Sequence, residues 1–229
     1  MQTYKEMQDE LVWRIQSARN STRFATARIK LLITDAHQWA TTLYIWDALV
    51  RARIANSEVS EYFDYPPDFR DDTIMRLEMD GEPYARKNFE DFLDWKHNNP
   101  NDTTKIFANF GRQYFIFPAP TAIGVGNITI WGAIQAPALS GDDDKTIFSM
   151  NNDSGNEAIV KKAFSVSCLK TNPNLSTKEE QGSMILLDNL FTKQQKNKQR
   201  DQRLDHVHFV VPDLFAPGRG SSPVANFNR

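Results

Sequence analysis

Two histidines one residue apart form the most suggestive metal-ligand pair in the sequence. His206 and His208 would lie on the same side of an extended segment, where both imidazoles could bind one metal ion. A zinc site takes four ligands as a rule, and no third or fourth ligand of fitting type and spacing stands nearby. His37 stands alone on a predicted helix, where a histidine is more often a packing or surface residue than a base. We therefore predict no metal site.

The other candidates for chemistry also favour structural interpretations. The three carboxylates at residues 142–144 lack the spaced ligands, central glycine and final glutamate of a calcium loop, which favours a solvated loop. Gly124 and Gly126 precede a strand, whereas a phosphate cradle needs glycines that open a helix. Cys168 lies in an apolar stretch, where a buried, inert thiol is expected. We predict no catalytic residue, no cofactor and no enzymatic activity.

A basic segment is the one feature that suggests an anionic partner. Residues 193–203 carry five basic side chains and one acid, a local charge of +4. Such a segment is a solvated helix end, a contact for a partner protein or a site for DNA phosphates. It contains no aromatic residue on which a base could stack. All three interpretations stay open.

Composition limits the class of protein. The chain has 229 residues, 40% of them apolar, which is enough for one compact domain. A net charge of -2 argues against a surface that wraps DNA or an anionic membrane as a whole. The sequence predicts no signal peptide and no membrane span, and it has a single cysteine. We expect a soluble protein in a reducing cytoplasm, without a disulfide.

Four longer helices are predicted. Thr3 and Glu6 form a capping box at the start of a helix over residues 3–19. A second helix, capped near residues 20–21, is predicted over residues 21–50. Capping boxes of Ser154 with Glu157, and of Ser176 with Glu179, predict two more helices, over residues 155–170 and 176–203.

Between these helices, residues 60–135 show the patterns of a β insertion. Asp80-Gly81 separates two alternating runs and predicts a two-residue hairpin. Gly111 marks a second hairpin, and a further strand is predicted from Asn127. Asn88 caps a short helix within the insertion.

These elements predict an α+β fold. We expect a helical bundle of about four helices with a small antiparallel β-sheet insertion and an extended C-terminal arm. Residues 1–203 would form a single domain, and residues 204–229 the arm. The arm is rich in Pro, Gly and Ser and carries isolated apolar residues that suit docking on a neighbour.

Four segments carry a likeness to a known family. They are residues 20–24 after the first helix, the extended segment 62–70, the hairpin 77–84, and the strand 110–120 that ends in a Pro-x-Pro turn. In this order the chain resembles the head-to-tail adaptor (connector) proteins of tailed bacteriophages. The likeness covers most of residues 1–200. Each motif alone is common, and only their order is distinctive.

The resemblance implies a structural virion protein of the neck, at the head–tail junction, assembled in the host cytoplasm. It implies a homo-oligomeric ring of twelve copies that docks under the portal protein and meets a downstream neck or tail protein. DNA would pass through the channel without sequence-specific binding, and no membrane is involved. The portal-binding residues would lie at the end of the fourth helix and in the arm: Lys193, Lys196, Arg200, Arg203, Phe209, Val211, Leu214, Phe215 and Phe227.

Three alternatives remain. The chain could be another neck component, either a stopper or a tail-completion protein, which the sequence separates poorly from an adaptor. It could be a DNA-binding module that uses the basic helix 193–203, with an affinity that falls steeply with salt. A hydrolase is the third, and it lacks a recognisable motif.

Overall fold

The computed structural model describes residues 2–18, 24–149 and 154–205, the last five of these by their backbone alone. The described helices are α1 (Tyr4–Ser17), α2 (Thr26–Leu43), α3 (Phe89–Asn98), α4 (Ser154–Cys168) and α5 (Pro173–Asp205). The described strands are β1 (Val50–Ser57), β2 (Tyr62–Asp64), β3 (Arg76–Met79), β4 (Glu82–Arg86), β5 (Ile106–Phe110), β6 (Gln113–Phe117) and β7 (Gly124–Ala133).

The predicted fold class is wrong. In place of a four-helix bundle with a small antiparallel insertion, the described residues form five helices and one curled, mixed sheet of seven strands, a half-barrel. The sheet is mixed because β4 and β5 run parallel, while the other paired strands are antiparallel. The error begins at the second helix, which ends at Leu43 and not at residue 50. β1 contains Ala and Arg, which favour helices, so the sequence pattern did not indicate a strand there.

The strand order is β1-β7-β3-β4-β5-β6-β2, so β1 and β2 are the two edges. The ten-residue β7 lies between β1 and β3 and pairs with both. The predicted hairpin at Asp80-Gly81 is confirmed, because both residues have positive φ, 55° and 78°, as a type I′ turn requires. The hairpin at Gly111, with φ of 60°, joins β5 to β6 as predicted.

Burial divides the apolar side chains into three clusters. The largest joins α1, α2 and α4 with Leu187 of α5. The second lines one face of the sheet, and the third lies between α3 and β5. Both faces of β5 are covered, since Phe107 belongs to the second cluster while Ile106 and Ala108 belong to the third. This burial explains the unbroken apolar run at residues 106–108.

The helix ends show which local signals operate. The capping box of Thr3 and Glu6 is confirmed, and Asn88 caps α3 as predicted. The box predicted at Ser176 is wrong, because α5 already begins at Pro173. The Oδ1 atom of Asn172 accepts a hydrogen bond from the Leu175 amide at 3.1 Å. An Asn N-cap followed by Pro at the first helical position strongly favours helix initiation. The helix therefore begins three residues earlier than predicted.

The chain consists of two units. Residues 1–193 form one compact unit, and residues 194–229 form the other. The described part of the second unit is the helical stretch from Gln194 to the end of α5.

Candidate interaction surface

The cysteine and the histidine of α2, which the sequence offered as candidates for chemistry, are both buried. Cys168 is buried. His37 is 1% exposed, and burial lowers its pKa to about 4, so the imidazole is neutral at pH 7. His206 and His208 lie outside the described residues.

The acidic loop at residues 142–144 supports the first helix. The carbonyl oxygens of Asp144 and Asp142 accept the amides of Tyr4 and Lys5, at 2.8 and 3.0 Å. Such amides in the first turn have no partner within a helix. The Asp144 carboxylate accepts the backbone amides of Ser140 and Gly141, and these hydrogen bonds lower its pKa. Asp142 and Asp143 are exposed, as predicted for a solvated loop.

The predicted portal-binding residues are only partly described. Lys193 is exposed and is the last residue of the compact unit. In the second unit, Lys196 and Arg200 are exposed, and together with Arg203 they are spaced four and three residues apart on α5. The four-residue spacing places Lys196 and Arg200 on one side of the helix. The side chain of Arg203 and all five predicted arm residues, Phe209, Val211, Leu214, Phe215 and Phe227, lie outside the described part.

Sequence reasoning missed the open edge of the sheet at β1. The Ile134 amide donates to the Leu49 carbonyl, and hydrogen-bonded pairs alternate along an antiparallel ladder. The backbone groups of Val50, Ala52 and Ile54 therefore point away from β7. Within the described residues, the amides of Ala52 and Ile54 and the carbonyl of Ile54 have no hydrogen-bond partner. Among the described residues, β1 thus leaves these outward backbone groups without a partner.

Two arginines partly cover this edge. The Nη1 atoms of Arg51 and Arg53 donate to the Val50 and Ala52 carbonyls, at 2.7 and 3.0 Å. Arg53 also holds Asp68, with Nη2 2.6 Å from a carboxylate oxygen. Charged side chains along an edge strand discourage uncontrolled pairing with other chains.

The opposite edge, β2, is short, and the outward backbone groups of Tyr62 are covered. The Ser60 hydroxyl donates to the Tyr62 carbonyl at 2.8 Å and accepts the Tyr62 amide at 3.3 Å. This strand has only three residues, and the chain then turns at Pro66 and Pro67. The two edges therefore differ, and only β1 offers a long run for a further strand.

An uncovered aliphatic surface lies at the end of β1. We call it the aliphatic tip, and its members are Ile54, Val59, Ile123 and Val125, which are 72%, 68%, 75% and 88% exposed. Ser57 pairs with Gly124, which brings the ends of β1 and β7 together. Asn56 and Asn127 fix this arrangement, because their Oδ1 atoms accept the amides of Gly126 and Ser57 at 2.8 and 3.0 Å. The tip is thus a hydrogen-bonded projection with apolar side chains.

No protein-family model matches the chain, and no curated protein matches it.

A cleft lies beside α3. This cleft of about 560 Å³ is lined by Arg86, Lys87, Asn109 and Phe110, among others. Its basic groups already have partners, since Lys87 lies 4.6 Å from the centre of the Trp95 ring and Arg86 donates to the Asp72 carbonyl. The Oδ1 atom of Asn109 is buried without a hydrogen-bond partner among the described residues.

Neither a metal site nor a membrane span is found where the structure is described. Across residues 2–18, 24–149 and 154–205, no three His, Cys, Asp or Glu side chains are arranged to hold a metal ion. No helix in those ranges is long and apolar enough to cross a membrane.

Proposed function

We propose that this chain is a non-enzymatic assembly protein, the ring subunit of a head-to-tail adaptor in a tailed bacteriophage. It docks under the portal, connects the capsid to the tail and forms part of the DNA channel. The observation that carries the proposal is the open β1 edge with the aliphatic tip beside it. These are surfaces that proteins use to bind other proteins.

The tip has the chemistry of a protein contact. Four large aliphatic side chains, each at least two-thirds exposed, come from the end of β1 and the start of β7, whose backbones are joined by hydrogen bonds. Scattered apolar residues are normal on a surface, whereas a group of them marks an interaction site. Glu58 is the only charged residue in the two connecting stretches, 56–60 and 121–127. The protein surface that covers the aliphatic tip is therefore expected to be apolar.

In a ring of identical subunits, the β1 edge and the aliphatic tip of each copy can bind the adjacent copy. In a closed ring, each subunit uses one surface toward one neighbour and a different surface toward the other. The two sheet edges differ, because β1 is eight residues long whereas β2 has three residues, with the Tyr62 backbone covered by Ser60. Twelve copies are proposed, by the resemblance to connector proteins.

The resemblance is carried by sequence motifs and not by the helical bundle that it implied. Two of its four segments coincide with described hairpin elements: residues 77–84 with β3 and β4, and residues 110–120 with β6 and the turn after it. Residues 62–70 begin with β2, and residues 20–23 lie outside the described part. Support for the family therefore comes from the order of these segments.

The portal contact is assigned to the second unit and its boundary. Lys193, Lys196, Arg200 and Arg203 would face acidic portal residues, and the arm residues Phe209, Val211, Leu214, Phe215 and Phe227 would supply apolar anchors. The other end of the ring would contact the next neck or tail protein. Exposed carboxylates such as Asp142 and Asp143 would repel DNA if they lie along the channel.

The decisive experiment joins the full-length protein with the portal protein encoded by the same genome. We expect a complex whose mass, measured by light scattering, corresponds to a portal plus a ring of this chain, and whose electron micrographs show the ring under the portal. A matched control replaces the portal with the major capsid protein, which should not bind. Absence of this chain from the neck of purified virions, measured by mass spectrometry and imaging, would overturn the proposal.

A DNA-binding module is the second candidate, favoured by the exposed basic side chains of α5. It predicts that duplex DNA binds the purified protein with an affinity that falls steeply between 50 and 200 mM salt, as is usual for proteins with roughly six or more phosphate contacts. The adaptor proposal predicts weak binding of this kind at most. A stopper or tail-completion protein would bind the adaptor ring and not the portal itself.

A further inference from the structure

The open edge of β1 needs an occupant of defined chemistry. The outward groups without a partner among the described residues are the amides of Ala52 and Ile54 and the carbonyl of Ile54. Beside them, the Ile54 side chain is 72% exposed. An extended segment fills such an edge by adding a strand, with main-chain hydrogen bonds for affinity and alternate side chains for specificity. The occupant should therefore be a short extended segment with one apolar side.

The chain itself contains such a segment, outside the described residues. Residues 206–211 read His-Val-His-Phe-Val-Val, directly after α5 ends at Asp205. β-branched and aromatic side chains are typical of strands, and Pro212 ends the run. Alternation would place Val207, Phe209 and Val211 on one side and both histidines on the other. This apolar side matches Ile54 and the aliphatic tip.

We propose that residues 206–211 of one copy bind as an added strand to β1 of the adjacent copy. The inference rests on the proposed function, because the ring supplies the adjacent copy. In a ring, the segment and the edge are held at a high effective concentration, so a short strand is sufficient. Each subunit would then be joined to the next by main-chain hydrogen bonds across the sheet.

Charge also favours this occupant. Arg51 and Arg53 cover the outward carbonyls of Val50 and Ala52, and an added strand displaces them. Asp205 and Asp213 flank the segment on either side, so carboxylates are available to accept hydrogen bonds from the displaced guanidinium groups. Before assembly, Arg51 and Arg53 hinder pairing with other strands at this edge. After assembly, their hydrogen bonds to these carboxylates hold residues 206–211 in place.

Binding to β1 leaves part of the arm for the portal contact. Phe209 and Val211 lie on the apolar side of the added strand, beside Ile54 and the aliphatic tip, so the portal contact falls to the residues after Pro212. Leu214, Phe215 and Phe227 follow Pro212 and remain outside the added strand.

A disulfide test between full-length variants addresses the pairing directly. The native Cys168 is buried, so an engineered surface thiol reacts alone. Protein carrying Ile54→Cys is mixed with protein carrying Phe209→Cys and oxidised mildly. We expect a cross-linked dimer on a non-reducing gel. The matched control is Ile185→Cys in place of Ile54→Cys, because Ile185 is 59% exposed on α5 and lies away from β1 in sequence.

Equal cross-linking by Ile185→Cys, or none by Ile54→Cys, would overturn the inference. The double variant Ile54→Cys/Phe209→Cys tests whether the arm binds its own copy, since a link that forms only within one chain contradicts binding to a neighbour. Ile54→Pro removes an outward amide without touching the pairs with β7, and Ile54→Thr is its control. We expect only the proline variant to lose most of the ring in light scattering, while both keep the thermal transition of a folded protein.

Failure of this inference and failure of the proposed function give different results. If the wild-type protein forms rings and binds the portal, but neither the cross-link nor the proline effect is found, the adaptor role stands and the strand addition falls. If no ring forms and the chain is absent from the neck of the virion, the proposed function itself falls.

Discussion

At the scale of single residues, His37 shows how burial fixes a protonation state. Its side chain lies within α2, and its Nε2 atom has no hydrogen-bond partner among the described residues. A charged imidazole would lose its hydration there, which is why the pKa is lowered to about 4. The unfolded chain binds the proton more tightly, so acid favours unfolding.

We expect the free energy of unfolding to fall as pH decreases from about 6.5 to about 4, with His37 contributing roughly 2 to 3 kcal/mol. His37→Leu should remove this contribution. Urea denaturation of both proteins at several pH values measures the difference, and the carboxylates affect both proteins alike. Parallel pH profiles for the two proteins would contradict the prediction.

Glycines at two helix positions provide a matched pair. A Cβ atom on Gly155, at the start of α4, would lie 2.4 Å from the Phe148 Cβ. We expect Gly155→Ala to lower the free energy of unfolding by about 1 to 3 kcal/mol, as overpacking does. On Gly182 of α5 the nearest atom would be Lys161 Cδ at 3.8 Å. Gly182→Ala should instead raise stability by up to about 1 kcal/mol, and thermal unfolding of both variants decides between these signs.

At the scale of elements, Arg70 connects the sheet to a helix. Its guanidinium donates to the carbonyls of Thr41 and Thr42, each at 2.8 Å, and to that of Tyr44 at 3.2 Å. These are carbonyls at the C-terminal end of α2, which have no partner within the helix and attract a positive charge. Arg70 thus supplies a cap that no residue of α2 provides.

We expect Arg70→Met, which keeps much of the apolar stem, to cost about 1.5 to 3 kcal/mol. Arg112→Met is the control, because Arg112 forms an exposed ion pair with Asp71 that contributes about 1 kcal/mol or less. Chemical denaturation measures both. Equal losses would show that Arg70 acts as an ordinary surface cation.

Elements with local signals could be predicted from the sequence, and those that depend on distant partners could not. The capping box at Thr3 and the turns at Asp80-Gly81 and Gly111 are fixed by a few neighbouring residues. β1 has no such signal, since its arginines and alanines favour a helix and only pairing with β7, about 75 residues later, makes it a strand. The candidate surface was missed for the same reason, because an edge exists only once the strand order is known.

At the scale of the whole molecule, the two units should be separable in function. Deletion of residues 204–229 removes the predicted arm anchors and leaves residues 1–193, the compact unit, unchanged. We expect the truncated protein to unfold at the same temperature as the full chain and to lose attachment to the portal. Co-sedimentation with portal complexes measures the attachment.

A control for the truncation replaces Phe215 and Phe227 by Ser in the full-length chain. It should weaken portal binding without removing the segment proposed to bind β1. Virion yield from a phage carrying the deletion gives the biological readout. An undiminished yield would contradict a docking role for the arm.

The contact between the start of α1 and residues 142–156 has a consequence for biosynthesis. The first turn of α1 is held by the carbonyls of Asp142 and Asp144, and the Gln2 carbonyl accepts the Asn156 side chain. About 140 residues separate Tyr4 from Asp144, so at roughly 5 to 20 residues per second the ribosome needs about 7 to 28 s to make the partner of the first helix. The part of the α1 surface that packs against α4 stays uncovered during that time, and chaperones that bind nascent chains are expected to select it.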